Sequence, residues 1–115
     1  MRLYIIRHGE TSWNKAKRLQ GRKDIMLDAD GIRLAEKTGE GMQDIDFDLV
    51  ISSPLIRAKQ TAELVLAGRQ IPMITDKRII EMSFGKWEGE SVRESTVLPA
   101  DYVDKFYHDP YHCPK

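Results

Sequence analysis

One cysteine, Cys113, in 115 residues leaves no partner for an intrachain disulfide, and that usage favours a reducing compartment. No apolar run is long enough for a membrane span or a secretory leader. Met1-Arg2 instead leads straight into the short run Leu3-Tyr4-Ile5-Ile6, and a cytoplasmic location is expected. Net charge is missing too. The 18 basic and 18 acidic residues cancel, so no global field recommends nucleic acid or a membrane surface as a partner. Internal repeats and low-complexity linkers are absent, and the length allows one domain with one core.

The balance of charge conceals a local asymmetry. Arg2, Arg7, Lys15, Lys17, Arg18, Arg22 and Lys23 face only Glu10 in the first 23 residues. The next 25 residues hold Asp24, Asp28, Asp30, Glu36, Glu40, Asp44, Asp46 and Asp48 against Arg33 and Lys37. A basic stretch beside a reactive side chain suits an anionic substrate, although solvated surface explains the same count.

Strand and helix signals alternate along the chain, as a parallel α/β sheet requires. Residues 2–6 read as a first strand buried on both faces. Residues 9–28 are polar and without sustained period, which predicts a long loop with a turn of helix. Asp30 is placed to cap a helix from Gly31 to Gln43, with Ile32, Ala35, Gly39 and Met42 on one face; Gly39 and Gly41 weaken its end. Asp48 to Ser52 reads as a second strand. Ser53-Pro54 is a helix-start signal, with Ala58, Thr61, Ala62 and Val65 along one face to Ala67 and Gly68 as the stop. Ile71 to Thr75 reads as a third strand, interrupted by Pro72.

The chemistry gathers where these strands end, which is where open α/β sheets bind ligands. Arg7-His8-Gly9-Glu10-Thr11 follows the first strand and delivers an imidazole beside a guanidinium. Phosphoryl transfer without a metal needs a nucleophile, donors around the phosphate oxygens and an acid for the leaving oxygen. His8 can supply a neutral ring nitrogen if an acceptor fixes its tautomer. Arg7 adds a fork suited to two phosphate oxygens. Arg57 falls near the start of a helix, where a cation opposes the dipole but an anion is favoured, so a purely structural role is the weaker reading.

Three blocks, Arg7 to Thr11, Ser52-Ser53-Pro54-Leu55-Ile56-Arg57-Ala58-Lys59-Gln60-Thr61-Ala62 and Glu81-Met82-Ser83-Phe84-Gly85-Lys86-Trp87-Glu88-Gly89, together resemble the histidine phosphatase superfamily, which includes the phosphoglycerate mutases. The resemblance spans roughly residues 1–92. It implies a three-layer αβα sandwich with a mostly parallel sheet, and no metal or other cofactor. It assigns His8 as the nucleophile and Glu81 as the acid and base for the leaving group, a role that needs a raised pKa. Arg7 and Arg57 become phosphoryl ligands. Asn14 matches a phosphate-binding asparagine, the pair Gln20-Gly21 closes over the substrate, and Thr11 can donate a hydrogen bond. Trp13 and Trp87 read as packing residues. Gly21-Arg22-Lys23-Asp24 and Phe84-Gly85-Lys86-Trp87-Glu88-Gly89 favour the phosphatase branch over the mutases.

The pattern breaks near the end of the chain. The family's second site histidine belongs to a later His-Gly step, whereas His108 and His112 precede Asp109 and Cys113. The expectation is a single domain over 1–115, incomplete at its C-terminal side, with sheet edges prone to self-association. His108, His112 and Cys113 could form a metal site, but Pro110 works against one helix carrying both histidines. The expected activity is hydrolysis of a small phosphorylated metabolite through phosphohistidine. The alternatives are mutase-type transfer and a catalytically silent phosphoanion-binding module. Nucleic-acid binding through Lys15 to Lys23 has no motif behind it, and no membrane partner is expected.

Overall fold

The apolar run Leu49-Val50-Ile51 becomes a strand in the computed structural model, which describes residues 1–91. β1 (Val50–Ser52) pairs in parallel with β2 (Met73–Thr75), Val50 opposite Met73 and Ser52 opposite Thr75. One bond extends the ladder at each end, from Val50 N to Pro72 O and from Asp76 N to Ser52 O, both at 2.9 Å. β2 begins after Pro72 because a proline has a carbonyl to offer but no N–H.

Parallel neighbours need a crossover, and α3 (Ile56–Leu66) supplies it while packing against β1. The helix starts two residues past Pro54, with Leu55 at its N-cap and no side-chain cap. Ser53 Oγ instead accepts from Leu55 N at 3.3 Å in the preceding turn. The first helical amide, Ile56 N, finds its acceptor far away in sequence, Asp24 Oδ1 at 2.7 Å. Ala67, the C-cap at φ 50°, already turns left-handed, and Gly68 follows at φ 81° as the expected stop.

α2 (Ala29–Gly41) lies against α3 and buries Gly31, Ala35 and Gly39. Gly39 weakens the helix but permits the packing: a Cβ there would stand 2.7 Å from Val65 O. The N-cap is Asp28, not the expected Asp30. Asp28 N donates to Glu10 O at 3.0 Å, which holds the residue extended, and its Oδ1 accepts from Gly31 N at 2.8 Å. Asp30 falls inside the first turn, where its carboxylate still favours the dipole and pairs with Lys15 and Arg33. Asp28→Ala should therefore cost about 1 kcal/mol, and Asp30→Ala distinctly less. Denaturant midpoints of the two variants measure the difference, and equal effects would return the cap to Asp30.

Residues 2–6 do not form the expected doubly buried strand. Exposure alternates along them, Leu3 77% and Ile5 87% against Tyr4 41% and Ile6 44%, so the segment is extended with one face half covered. Tyr4 meets Phe47 edge-on with ring centroids 5.5 Å apart. A strand needs a neighbouring backbone to bond, and among the described residues β1 and β2 pair only with each other. Among the described residues the buried apolar core is Leu27, Ala35, Leu55, Val65 and Leu66. The α/β class with parallel pairing is as expected, while His108, His112 and Cys113 lie outside the described residues.

Candidate active site

Thr11 ends the N-terminal segment by capping α1 (Ser12–Lys15), the helical turn expected in the long loop. Its hydroxyl accepts from Asn14 N at 3.2 Å, and Asn14 Oδ1 accepts from Thr11 N at 2.9 Å, a reciprocal capping box. Thr11 Oγ1 also donates to Gln20 Oε1 at 2.7 Å. Thr11 and Gln20 are thus buried and joined to each other, and Asn14 keeps its NH2 group as the end able to donate. Arg7, His8, Gly9, Glu10 and Asn14 line an open cleft of about 240 Å³. Arg7 is exposed and His8 half-buried.

His8 Nδ1 lies 2.6 Å from Gly9 O. A carbonyl oxygen can only accept, so Nδ1 carries the proton and Nε2 presents its lone pair. Burial, followed by the cations Arg57 and Arg7, holds the His8 pKa below 6.5, against the opposing pull of the Gly9 carbonyl and Glu81. The imidazole is neutral at neutral pH, as a nucleophile must be. Because the folded chain binds this proton less readily than the unfolded chain, the contribution of His8 to stability is present above pH 6.5. It is lost as pH falls through the lowered value. A histidine NMR titration should place His8 below 6.5, and His8→Gln should flatten the loss of stability on acidification. A His8 titration at or above the ordinary value would remove the argument.

Arg57 is 1% exposed. Its guanidinium donates to Gly21 O at 2.5 Å and Lys23 O at 2.6 Å, so it fastens the loop that carries Gln20-Gly21 while keeping its charge within reach of His8. Burial lowers its own pKa against the pull of Glu81, Asp24 and Glu88. Gly21 sits at φ 54° with Glu88 beside its Cα, a place where a Cβ would clash. Glu88 Oε2 accepts from Arg22 N at 2.8 Å and Phe84 N at 3.1 Å, tying this loop to the third sequence block. Arg22 Nε donates to Glu81 O at 2.9 Å. The Glu81 side chain is exposed, and its Oε1 accepts from Met82 N at 2.9 Å. Trp13 packs against Gly89.

The charge asymmetry is partly internal. Lys15 pairs with Asp28 at 3.4 Å and with Asp30. Glu10, Asp28 and Asp30 each offer an oxygen within 4.8 Å of the others, and the Lys15 ammonium already compensates two of them. Sequence reasoning missed Gln60, Thr61 and Glu88. Gln60 Oε1 accepts from Leu27 N at 2.8 Å and Thr61 Oγ1 accepts from Gly9 N at 2.9 Å. Both lie three and four residues after Arg57, hence on its helix face, and that spacing was the available signal.

The sequence profile of the histidine phosphatase superfamily (branch 1) matches residues 3–115. The chain belongs to this superfamily. It is 39% identical over 103 residues to the uncharacterized phosphatase PhoE of Bacillus subtilis, covering 90% of this chain and 52% of PhoE. It is 38% identical over 92 residues to a probable phosphoglycerate mutase, GpmB, of Proteus mirabilis, covering 80% and 43%. Among solved structures, YhfR of Bacillus stearothermophilus superposes with a TM-score of 0.87 at 34% identity, over 95% of this chain and 55% of YhfR. The chain thus spans about half the length of the relatives it matches. Among the described residues, no helix is long and apolar enough to cross a membrane.

Proposed function

We propose that this chain carries the nucleophile and phosphate-binding half of a phosphomonoesterase that works through phosphohistidine and needs no metal ion. The single observation behind this reading is the 2.6 Å approach of His8 Nδ1 to Gly9 O, which assigns the proton to Nδ1 and leaves Nε2 as the nucleophilic atom of a residue that lines a cleft with Arg7 and Asn14. Nε2 attacks phosphorus as the ester oxygen leaves, and Glu81 gives that oxygen its proton. Water then attacks the phosphohistidine, Glu81 takes the water's proton, and inorganic phosphate departs with His8 restored.

Arg7 and the Asn14 NH2 face the phosphoryl oxygens in this reading. Arg57 adds charge beneath the cleft and holds Gln20-Gly21 in place, and Thr11 with Gln20 keeps Asn14 fixed. The small cleft suits a phosphoryl group on a small metabolite. A mutase, as in the GpmB likeness, would share the first step and return the phosphoryl group to a second hydroxyl. Incubating the protein with a phosphomonoester labelled in its phosphate tests both. Acid-labile, alkali-stable label on the protein, followed by labelled inorganic phosphate, is expected. Label reappearing on a second hydroxyl would favour the mutase, and no label on the protein would end the proposal.

A further inference from the structure

Nδ1 of His8 is held by Gly9 O, so the chemistry of His8 depends on what fixes Gly9. Two elements close on that residue from different parts of the chain. On one side is Thr61 of α3, 7% exposed. Its hydroxyl donates to Arg57 O at 2.8 Å and accepts from Gly9 N at 2.9 Å. The hydroxyl proton is committed to the helix carbonyl, so the oxygen can only accept from Gly9 and the relay runs one way: Gly9 N–H to Thr61, Thr61 to Arg57.

On the other side is the first turn of α2. A Cβ on Gly9 would stand 3.0 Å from Gly31 O and 3.2 Å from Leu27 Cδ2. A Cβ on Gly31 would in turn run into the Glu10 backbone. The atoms it would meet include Glu10 N at 2.8 Å, in the peptide that contains Gly9 O, while Glu10 O, in the following peptide, accepts from Asp28 N at 3.0 Å. The peptide on the N-terminal side of the Gly9 Cα is therefore held by Thr61, and the one that carries Gly9 O lies in close contact with the start of α2.

We infer that Thr61 is a positioning residue for His8: by holding the Gly9 amide against Gly31 it aims the Gly9 carbonyl at Nδ1 and keeps Nε2 unprotonated and directed into the cleft. The inference rests on the phosphohistidine reading for its purpose but not for its test. Valine matches threonine in shape and lacks the acceptor, whereas serine retains it. In the ligand-free protein, ring-nitrogen NMR should show one His8 tautomer, protonated on Nδ1, and slow solvent exchange of the Gly9 amide. Thr61→Val should mix the two tautomers and release the Gly9 amide, with a drop in kcat of about 10²-fold, the scale of a misaimed catalytic group, and little change in KM. Thr61→Ser should restore all of these.

If Thr61→Val does not fold, the wild-type exchange rate still decides: a Gly9 amide exchanging as fast as a free loop overturns the inference. Unchanged His8 ring shifts in folded Thr61→Val also overturn it, whatever the activity. A tautomer change in a protein that never takes up phosphate label would support the positioning role and remove only the phosphatase reading.

Discussion

His8→Ala is expected to abolish phosphoprotein formation and to lower turnover by on the order of 10⁴-fold or more, the scale seen when a covalent nucleophile is removed. On the proposed reading the loss should fall on kcat, because Arg7 and Asn14, the proposed phosphate ligands, still line the cleft. Folding should survive: His8 is half-buried, and among the described residues its side chain bonds to the neighbouring residue, Gly9. Quench-flow with labelled substrate and steady-state kinetics read the two effects together. Turnover within tenfold of wild type, roughly 1.4 kcal/mol on the barrier, would mean that water attacks phosphorus directly and His8 only assists.

The second large effect separates the two arginines. Arg57→Lys keeps a charge but cannot reproduce a planar fork on two carbonyls. The Gly21 and Lys23 carbonyls it serves are more than 30 residues away in sequence, so the substitution should loosen that loop. A loss of about 2 kcal/mol in stability is expected, the scale of charged hydrogen bonds, together with a fall in kcat/KM. Arg7 is exposed, so Arg7→Lys should leave stability unchanged and lower kcat/KM by about 2 kcal/mol in transition-state binding. Denaturant melts and kcat/KM on both variants make the comparison. If neither variant changes kcat/KM by more than about threefold, less than about 1 kcal/mol, neither guanidinium acts on the phosphoryl group.

Much of the candidate site was legible in the sequence because the residue types proposed to carry its chemistry stand in fixed local order. Arg7-His8-Gly9, Arg57 and Glu81 could be named from their blocks, and the superfamily followed from them. The parallel pair and its crossover helix were legible from short apolar runs separated by a helical period. Local patterns were less informative where two candidates compete within a turn. Asp28 and Asp30 are equally good caps by composition, and the choice fell to Asp28 because a distant carbonyl, Glu10 O, holds its backbone extended.

Burial was likewise decided outside the local sequence. Residues 2–6 have the composition of a core strand, but composition cannot supply the neighbouring backbone that such a strand must bond. Gln20 was expected to close over a substrate through the superfamily resemblance and Thr11 to donate a hydrogen bond, and it is the tertiary structure that joins Thr11 Oγ1 to Gln20 Oε1. Arg57 read as a phosphate fork, and it is the tertiary approach of Gly21 and Lys23 that makes it a clamp on the loop. The sequence by itself determined which chemical groups are present and in what order. Only the tertiary structure decided which acceptor fixes each donor, because hydrogen bonds such as Gly9 to Thr61 join residues 52 positions apart, and no local pattern of residue types encodes that distance.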